Sequence, residues 1–251
     1  MEKPSSSEIT ALEVTAPSQI VALTREACHL TQVAVAEATN SLAKGSRESF
    51  QAVKEAEEKL DFLDREIDKS VTATITTVSP DQARELLACM KLMIDLERIG
   101  DLTLSFTVRA EAVRDRLEME DVSQLIKMGS ILEKMLGDIL QAFLNRDLEC
   151  AVGVLRADSE IDRLRNLLVI AHLEHASGPE SIQVIFMAQA LERAGDHAKN
   201  LAEEICHLLS GHSVRHLLMA RNKPYEQMFL EHLRTHYATK TTLPEHPQNR
   251  M

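Results

Sequence analysis

Carboxylates recur in this sequence at a spacing that could gather them around a cation. Asp64 and Asp68, Glu97 and Asp101, Asp158 and Asp162, and Glu192 and Asp196 each stand four residues apart. On a helix that spacing puts both side chains on one face, one turn apart, where like charges repel by roughly 0.2–0.5 kcal/mol. Four such groups brought together repel more, unless a cation or an arginine neutralises them. Oxygen-only ligation suits magnesium, manganese, calcium or iron and gives a thiolate-seeking metal no reason to bind. The competing reading is a solvated helix face, with Arg65, Arg98, Arg163 and Arg193 of the same segments pairing with the acids. The residues leave both readings open, although a solvated face has no need to repeat its acids at matching places.

They do repeat. DREID at Asp64 to Asp68 returns as DSEID at Asp158 to Asp162, and LERIGD at Leu96 to Asp101 returns as LERAGD at Leu191 to Asp196. Two motifs recurring in the same order at offsets of 94 and 95 residues indicate a duplicated unit. Each unit holds about three helices, so an all-α fold of two tandem, pseudo-symmetric three-helix bundles is expected. Val184, Met187, Leu191, Ala194, Ala198, Leu201 and Ile205 follow a heptad rhythm, and the first repeat shows the same rhythm at Cys89, Leu92, Leu96, Ile99, Thr103, Phe106 and Ala110. These are the expected core seams. At about 100° per residue the motif acids lie away from them, on the outside of the bundles. The third helix also carries a second apolar face (Leu86, Met90, Met93, Leu104), which calls for a partner bundle or a homodimer to cover it.

Composition agrees with helices packed side by side: Trp is absent, aromatics are 3%, and there are only 8 Gly and 7 Pro in 251 residues. Helices are expected at 17–44, 47–78, 81–117, 120–144, 147–176 and 179–210, forming a first repeat over 17–117 and a second over 120–217. Residues 1–16 and 218–251 read as loosely attached tails. The β-branched run at Val71 to Val78 favours a strand on propensity, but the repeat overrides it and a helix is expected through residue 78. The net charge of −11 argues against a nucleic-acid partner. No apolar run reaches the roughly 20 residues of a membrane span and no leader is recognisable, so a cytoplasmic protein without membrane insertion is expected. Cys28, Cys89, Cys150 and Cys206 lack CxxC spacing and read as reduced residues of helix cores.

Other residues offer less chemistry. His197 follows Asp196 but its first-repeat counterpart is Leu102, so it reads as a surface or supporting histidine. His172 and His175 sit near a helix end, which favours an imidazolium there. His207, His212 and His216, and His232, His236 and His246 in the tail, could take stray transition metal. There is no Ser/His/Asp ordering, Gly-rich phosphate loop or dinucleotide fingerprint, and the protein is not expected to be an enzyme. A di-iron oxidase would need Glu-x-x-His pointing into a bundle core, which the spacing of these acids does not provide.

LERIGD, LERAGDHAKNLAEEI, both DxxID segments and SGHSVRHL at Ser210 to Leu217 resemble the signature segments of the PhoU family, over roughly residues 20–217. The resemblance implies two three-helix bundles, with divalent or multinuclear metal (iron, manganese, magnesium or zinc) on the acidic motifs. It further implies a negative regulator of phosphate uptake acting through a phosphate ABC transporter and a phosphate-sensing histidine kinase. An accessory protein of a low-affinity phosphate carrier, or a helical adaptor without metal, would keep the same fold. Two departures stand out. The family's Asn four residues after the second acid is present as Asn200 but is Ser105 in the first repeat, and a frequent Asp-Leu-Arg reads Gln82-Ala83-Arg84. The first departure points to weaker metal binding in the first repeat.

Overall fold

The computed structural model describes the backbone of residues 6–175 and 178–211, and side chains over 17–173 and 178–211. Among these residues it has six α-helices and no strand: α1 (Ser6–Lys44), α2 (Arg47–Thr74), α3 (Pro80–Val113), α4 (Met119–Asn145), α5 (Leu148–His175) and α6 (Pro179–Ser210). A short 3-10 turn, Arg114–Arg116, follows α3.

Local chemistry sets most of the ends. Ser46 caps α2 by accepting from Ser49 N at 3.1 Å. Ser79 and Gln82 form a reciprocal capping box at the start of α3, with Pro80 as its first residue. Asp147 accepts from Glu149 N and Cys150 N at 2.9 and 3.2 Å and so starts α5. Gly45 and Arg146, both left-handed, stop the first helix of each repeat.

Three ends differ from expectation. α1 begins at Ser6 rather than 17 and holds Pro17 inside it, where the missing N–H forgoes one helical hydrogen bond. α2 stops at Thr74, so only half of the β-branched run is helical. The rest forms a turn in which Thr77 Oγ1 donates to Thr74 O at 2.8 Å. α3 gives way to the 3-10 turn at Val113, short of residue 117.

α1, α2 and α3 pack as one bundle and α4, α5 and α6 as another. The bundles join through the equivalent pairs, α1 with α4 and α3 with α6. Lys91 meets Glu204, Asp95 meets His197, and Arg109 meets Gln183, so α3 and α6 run antiparallel. All fourteen expected seam residues are buried, and one continuous core runs through both bundles. The second apolar face of α3 is covered within the chain: Leu86 and Met93 are fully buried, with Met90 and Leu104 packed at the margin, on the side where Gly100 meets Leu60 of α2. No described helix is long and apolar enough to cross a membrane.

Candidate functional site

The acidic motifs sit where the second and third helices of each bundle meet. In each LER-x-GD segment Leu and the following Ile or Ala belong to the core: Leu96 and Ile99 on α3, Leu191 and Ala194 on α6. The glycine is where the neighbouring helix passes. A Cβ on Gly100 would lie 2.7 Å from Leu60 Cδ1, and one on Gly195 would lie 3.2 Å from Ile161 Cδ1 and 3.6 Å from Asp158 Oδ1. Gly in a helix interior costs about 1 kcal/mol relative to Ala, and the close helix contact is what it provides here. That contact brings the carboxylates of the two helices within electrostatic range.

In the first repeat α2 carries a longer acidic stripe than the motifs alone define. Glu57 and Asp61 precede Asp64 and Asp68 at helical spacing, beside the buried Leu60, Leu63 and Ile67. Burial raises the pKa of Asp64, and the charges of Asp68 and Asp61 add to it. Glu97 on α3 is raised by burial and by Asp101, and Glu57 by burial and by Asp61. The basic groups stand at the rim. Arg98 reaches Glu97 at 3.4 Å and Asp101 at 3.2 Å, while Arg65 turns to Asp61 at 3.8 Å. Sequence reasoning missed Glu57 and Asp61, although their spacing to Asp64 was readable.

The second repeat departs from the expectation that the acids decorate the outside. Asp158 is 4% exposed and Glu192 9%. A helical wheel for one helix ignores what its neighbour lays over it, and here α5 and α6 lay basic side chains over each other's acids. Lys199 Nζ donates to Asp158 Oδ2 at 2.9 Å, and Arg165 donates to Glu192 Oε1 at 2.8 Å. Gln189 also donates to Glu192. Asp162 and Asp196 keep raised pKa values, from burial first and then from Asp158 and Glu192. Of the arginines inside the motifs, Arg163 binds Glu160 instead of a motif acid. The neutralising groups are Lys199 and Arg165, not the Arg163 and Arg193 that the sequence offered for the solvated-face reading.

Among the described residues, no three His, Cys, Asp or Glu side chains converge closely enough to hold an ion as they stand. The two clusters nonetheless differ in their fit to a metal. The first offers several hard oxygen donors that raise one another's pKa, with guanidinium groups only at the edge. Turning the carboxylates inward and releasing Arg98 would present them to a cation. The second already spends its two most buried carboxylates on Lys199 and Arg165 and does not fit.

The histidines are engaged elsewhere. His197 Nδ1 lies 2.7 Å from Asp95 Oδ1, and His172 Nε2 lies 2.9 Å from Asp121 Oδ1. His207 is 3.9 Å from Glu204. The tail histidines and the Val214-Arg215-His216 segment lie outside the described residues, as do the side chain of His175 and the second repeat's expected end at 217. The four cysteines are free thiols, three of them buried.

A PhoU domain model matches residues 24–106 and again 125–205, once in each bundle. The chain is 31% identical over 204 residues to the phosphate-specific transport system accessory protein PhoU homolog of Caulobacter vibrioides, covering 77% of this chain and 89% of that one. It is 29% identical over 208 residues to the Pseudomonas aeruginosa homolog, covering 77% and 84%. The crystal structure of PhoU from Pseudomonas aeruginosa superposes with a TM-score of 0.73 at 26% identity, covering 79% of this chain and 99% of that chain. The phosphate transport system regulatory protein PhoU from Streptococcus pneumoniae shares the fold, with a TM-score of 0.72 at 20% identity, covering 80% and 99%. With both repeats matched and both bundles superposed, the chain belongs to the PhoU family.

Proposed function

We propose that the protein is an accessory regulator of phosphate transport that works by binding, and that it restrains high-affinity uptake when phosphate is plentiful. The observation that carries this reading is the duplicated bundle with LERIGD and LERAGD at equivalent places, shared along most of the chain with relatives named as phosphate-specific transport accessory proteins. Its partners are a phosphate ABC transporter on the cytoplasmic side and a phosphate-sensing histidine kinase. The half-buried and exposed acids of the first bundle hold a divalent cation, with Asp64, Asp68, Glu97 and Asp101 as ligands and Glu57 and Asp61 alongside. Bound there, the ion would remove local repulsion and lend positive charge to a contact surface.

Deleting the gene and measuring phosphate uptake in high phosphate tests the regulatory reading. High-affinity uptake that no longer shuts off supports it. Unchanged repression with altered low-affinity uptake would point to a low-affinity carrier as the partner instead. Elemental analysis of untagged protein beside a Glu97→Gln/Asp101→Asn variant tests the metal reading: iron, manganese or zinc present in the first and lost from the second supports it.

A further inference from the structure

We propose that the second acidic cluster is the metal-free one, because Lys199 and Arg165 take the place of a cation there, and that divalent-ion binding is confined to the first repeat. The statement about the first repeat rests on the metal reading above, and the statement about Lys199 does not. Asp158 is buried between α5 and α6, and a carboxylate so placed needs a positive partner. Lys199 Nζ is that partner at 2.9 Å, with Asp158's side chain only 6% exposed. Arg165 does the same for Glu192 at 2.8 Å.

Four differences between the repeats move charge in one direction, against one at the rim, Arg65 in place of Ser159, that moves it the other way. Lys199 corresponds to Leu104 and Arg165 to the buried Val71, so the first repeat lacks both internal cations. Asp61 and Glu57 correspond to Leu155 and Ala151, so the second repeat lacks both additional acids. A divalent ion entering the second cluster would have to evict Lys199 from a buried carboxylate, or sit beside two positive charges in a partly desolvated place. No such obstacle stands inside the first. The expectation that the first repeat binds metal more weakly, drawn from Ser105, is thereby reversed: the group that decides is the lysine one residue before Asn200, not the asparagine.

The test uses full-length untagged protein and Mn2+, with bound ion read from the loss of the free-Mn2+ electron paramagnetic resonance signal and stability read from thermal unfolding. In the native protein Mn2+ affinity should fall by more than about tenfold on Glu97→Gln/Asp101→Asn and stay unchanged on Glu192→Gln/Asp196→Asn. Lys199→Met should lower Tm, and Mn2+ should restore it even when the first cluster carries Glu97→Gln/Asp101→Asn. Lys199→Arg keeps the cation and should match the native protein in both readouts, which covers the case in which Lys199→Met fails to fold. Binding that disappears with Glu192→Gln/Asp196→Asn would overturn the proposal, and so would a Lys199→Met protein destabilised but deaf to Mn2+. If the native protein binds no Mn2+ while Lys199→Met gains a site, the role of Lys199 stands and the metal reading of the first cluster falls.

Discussion

His197 Nδ1 on α6 lies 2.7 Å from Asp95 Oδ1 on α3, and this pair ties the two signature segments together back to back. Asp95 immediately precedes LERIGD, and His197 immediately follows LERAGD. Asn200 Nδ2 approaches the same oxygen at 3.3 Å, so one carboxylate receives two groups from the opposite bundle. The residue that the family places after the second acid therefore serves the joint between the bundles in this structure, beside the acidic cluster instead of within it.

Asp95→Ala should loosen that joint. It removes the acceptor of two partly buried groups, for a cost of about 1–3 kcal/mol. Asp95→Asn keeps one oxygen and should cost less. Urea unfolding measures both, and a midpoint unchanged in Asp95→Ala would show that apolar packing alone holds α3 to α6.

The two motif glycines should respond unequally to alanine. Replacement gains about 1 kcal/mol of helix propensity at either site, against about 1–3 kcal/mol for overpacking a core that cannot yield. At Gly100 the new methyl would stand 2.7 Å from Leu60 Cδ1, and Leu60 is itself buried in the core. At Gly195 the contact with Ile161 is 3.2 Å, a few tenths of an ångström from ordinary packing. Gly100→Ala should therefore lower Tm, and Gly195→Ala should leave it nearly unchanged. Equal shifts in the two variants would contradict this account of the helix contacts.

The fold was legible because its signals are repeated and periodic. Leu96 and Leu191 occupy the same seam position in two halves, and a heptad seam needs no knowledge of its neighbour to be recognised. What a neighbour contributes was not legible. Nothing in α6 alone says that Lys199 will reach Asp158 on α5, or that Asp95 on α3 will receive His197. Asp61 carries no repeat signal, because Leu155 stands at the equivalent place in the other half. The turn after Thr74 departs from the expected helix for a related reason: β-branched propensity matters at a helix end, where few packing contacts oppose it.

Thiol reactivity should divide the cysteines. Burial pushes Cys28 and Cys206 up to about 12 and Cys89 up to about 11, so almost no thiolate exists at pH 8. Cys150 is half-exposed, although burial and the Asp147 carboxylate raise it too. With a disulfide reagent at pH 8, Cys150 should react first and the other three only on unfolding. Rapid reaction of several thiols in the native protein would mean that the core opens more readily than its packing implies.

Stability should peak on the acid side of neutral. Burial and neighbouring carboxylates raise Glu57, Asp64 and Glu97 in the first bundle and Asp162 and Asp196 in the second. A carboxyl raised on folding holds its proton more tightly in the folded state than in the unfolded one. Over the window between the unfolded and folded pKa values the folded protein binds more protons, so stability falls as pH rises through it. Lowering the pH from 7 towards the folded-state pKa values of these groups should therefore raise Tm as repulsion within the clusters is relieved. Further acidification should reverse the trend. Hydrogen bonds from Arg163 and Lys127 hold Glu160 down to about 2, and backbone hydrogen bonds lower Glu48 and Asp147. The stability those groups contribute is lost as pH drops below the ordinary carboxylate range. Glu97→Gln should flatten that rise without moving the loss at lower pH, because it removes one of the mutually repelling acids and none of the stabilised ones. A Tm that falls steadily from pH 7 downward in the native protein would mean that the clusters are already neutralised at pH 7, by Arg98 and Arg65 in the first bundle as well as by Lys199 and Arg165 in the second.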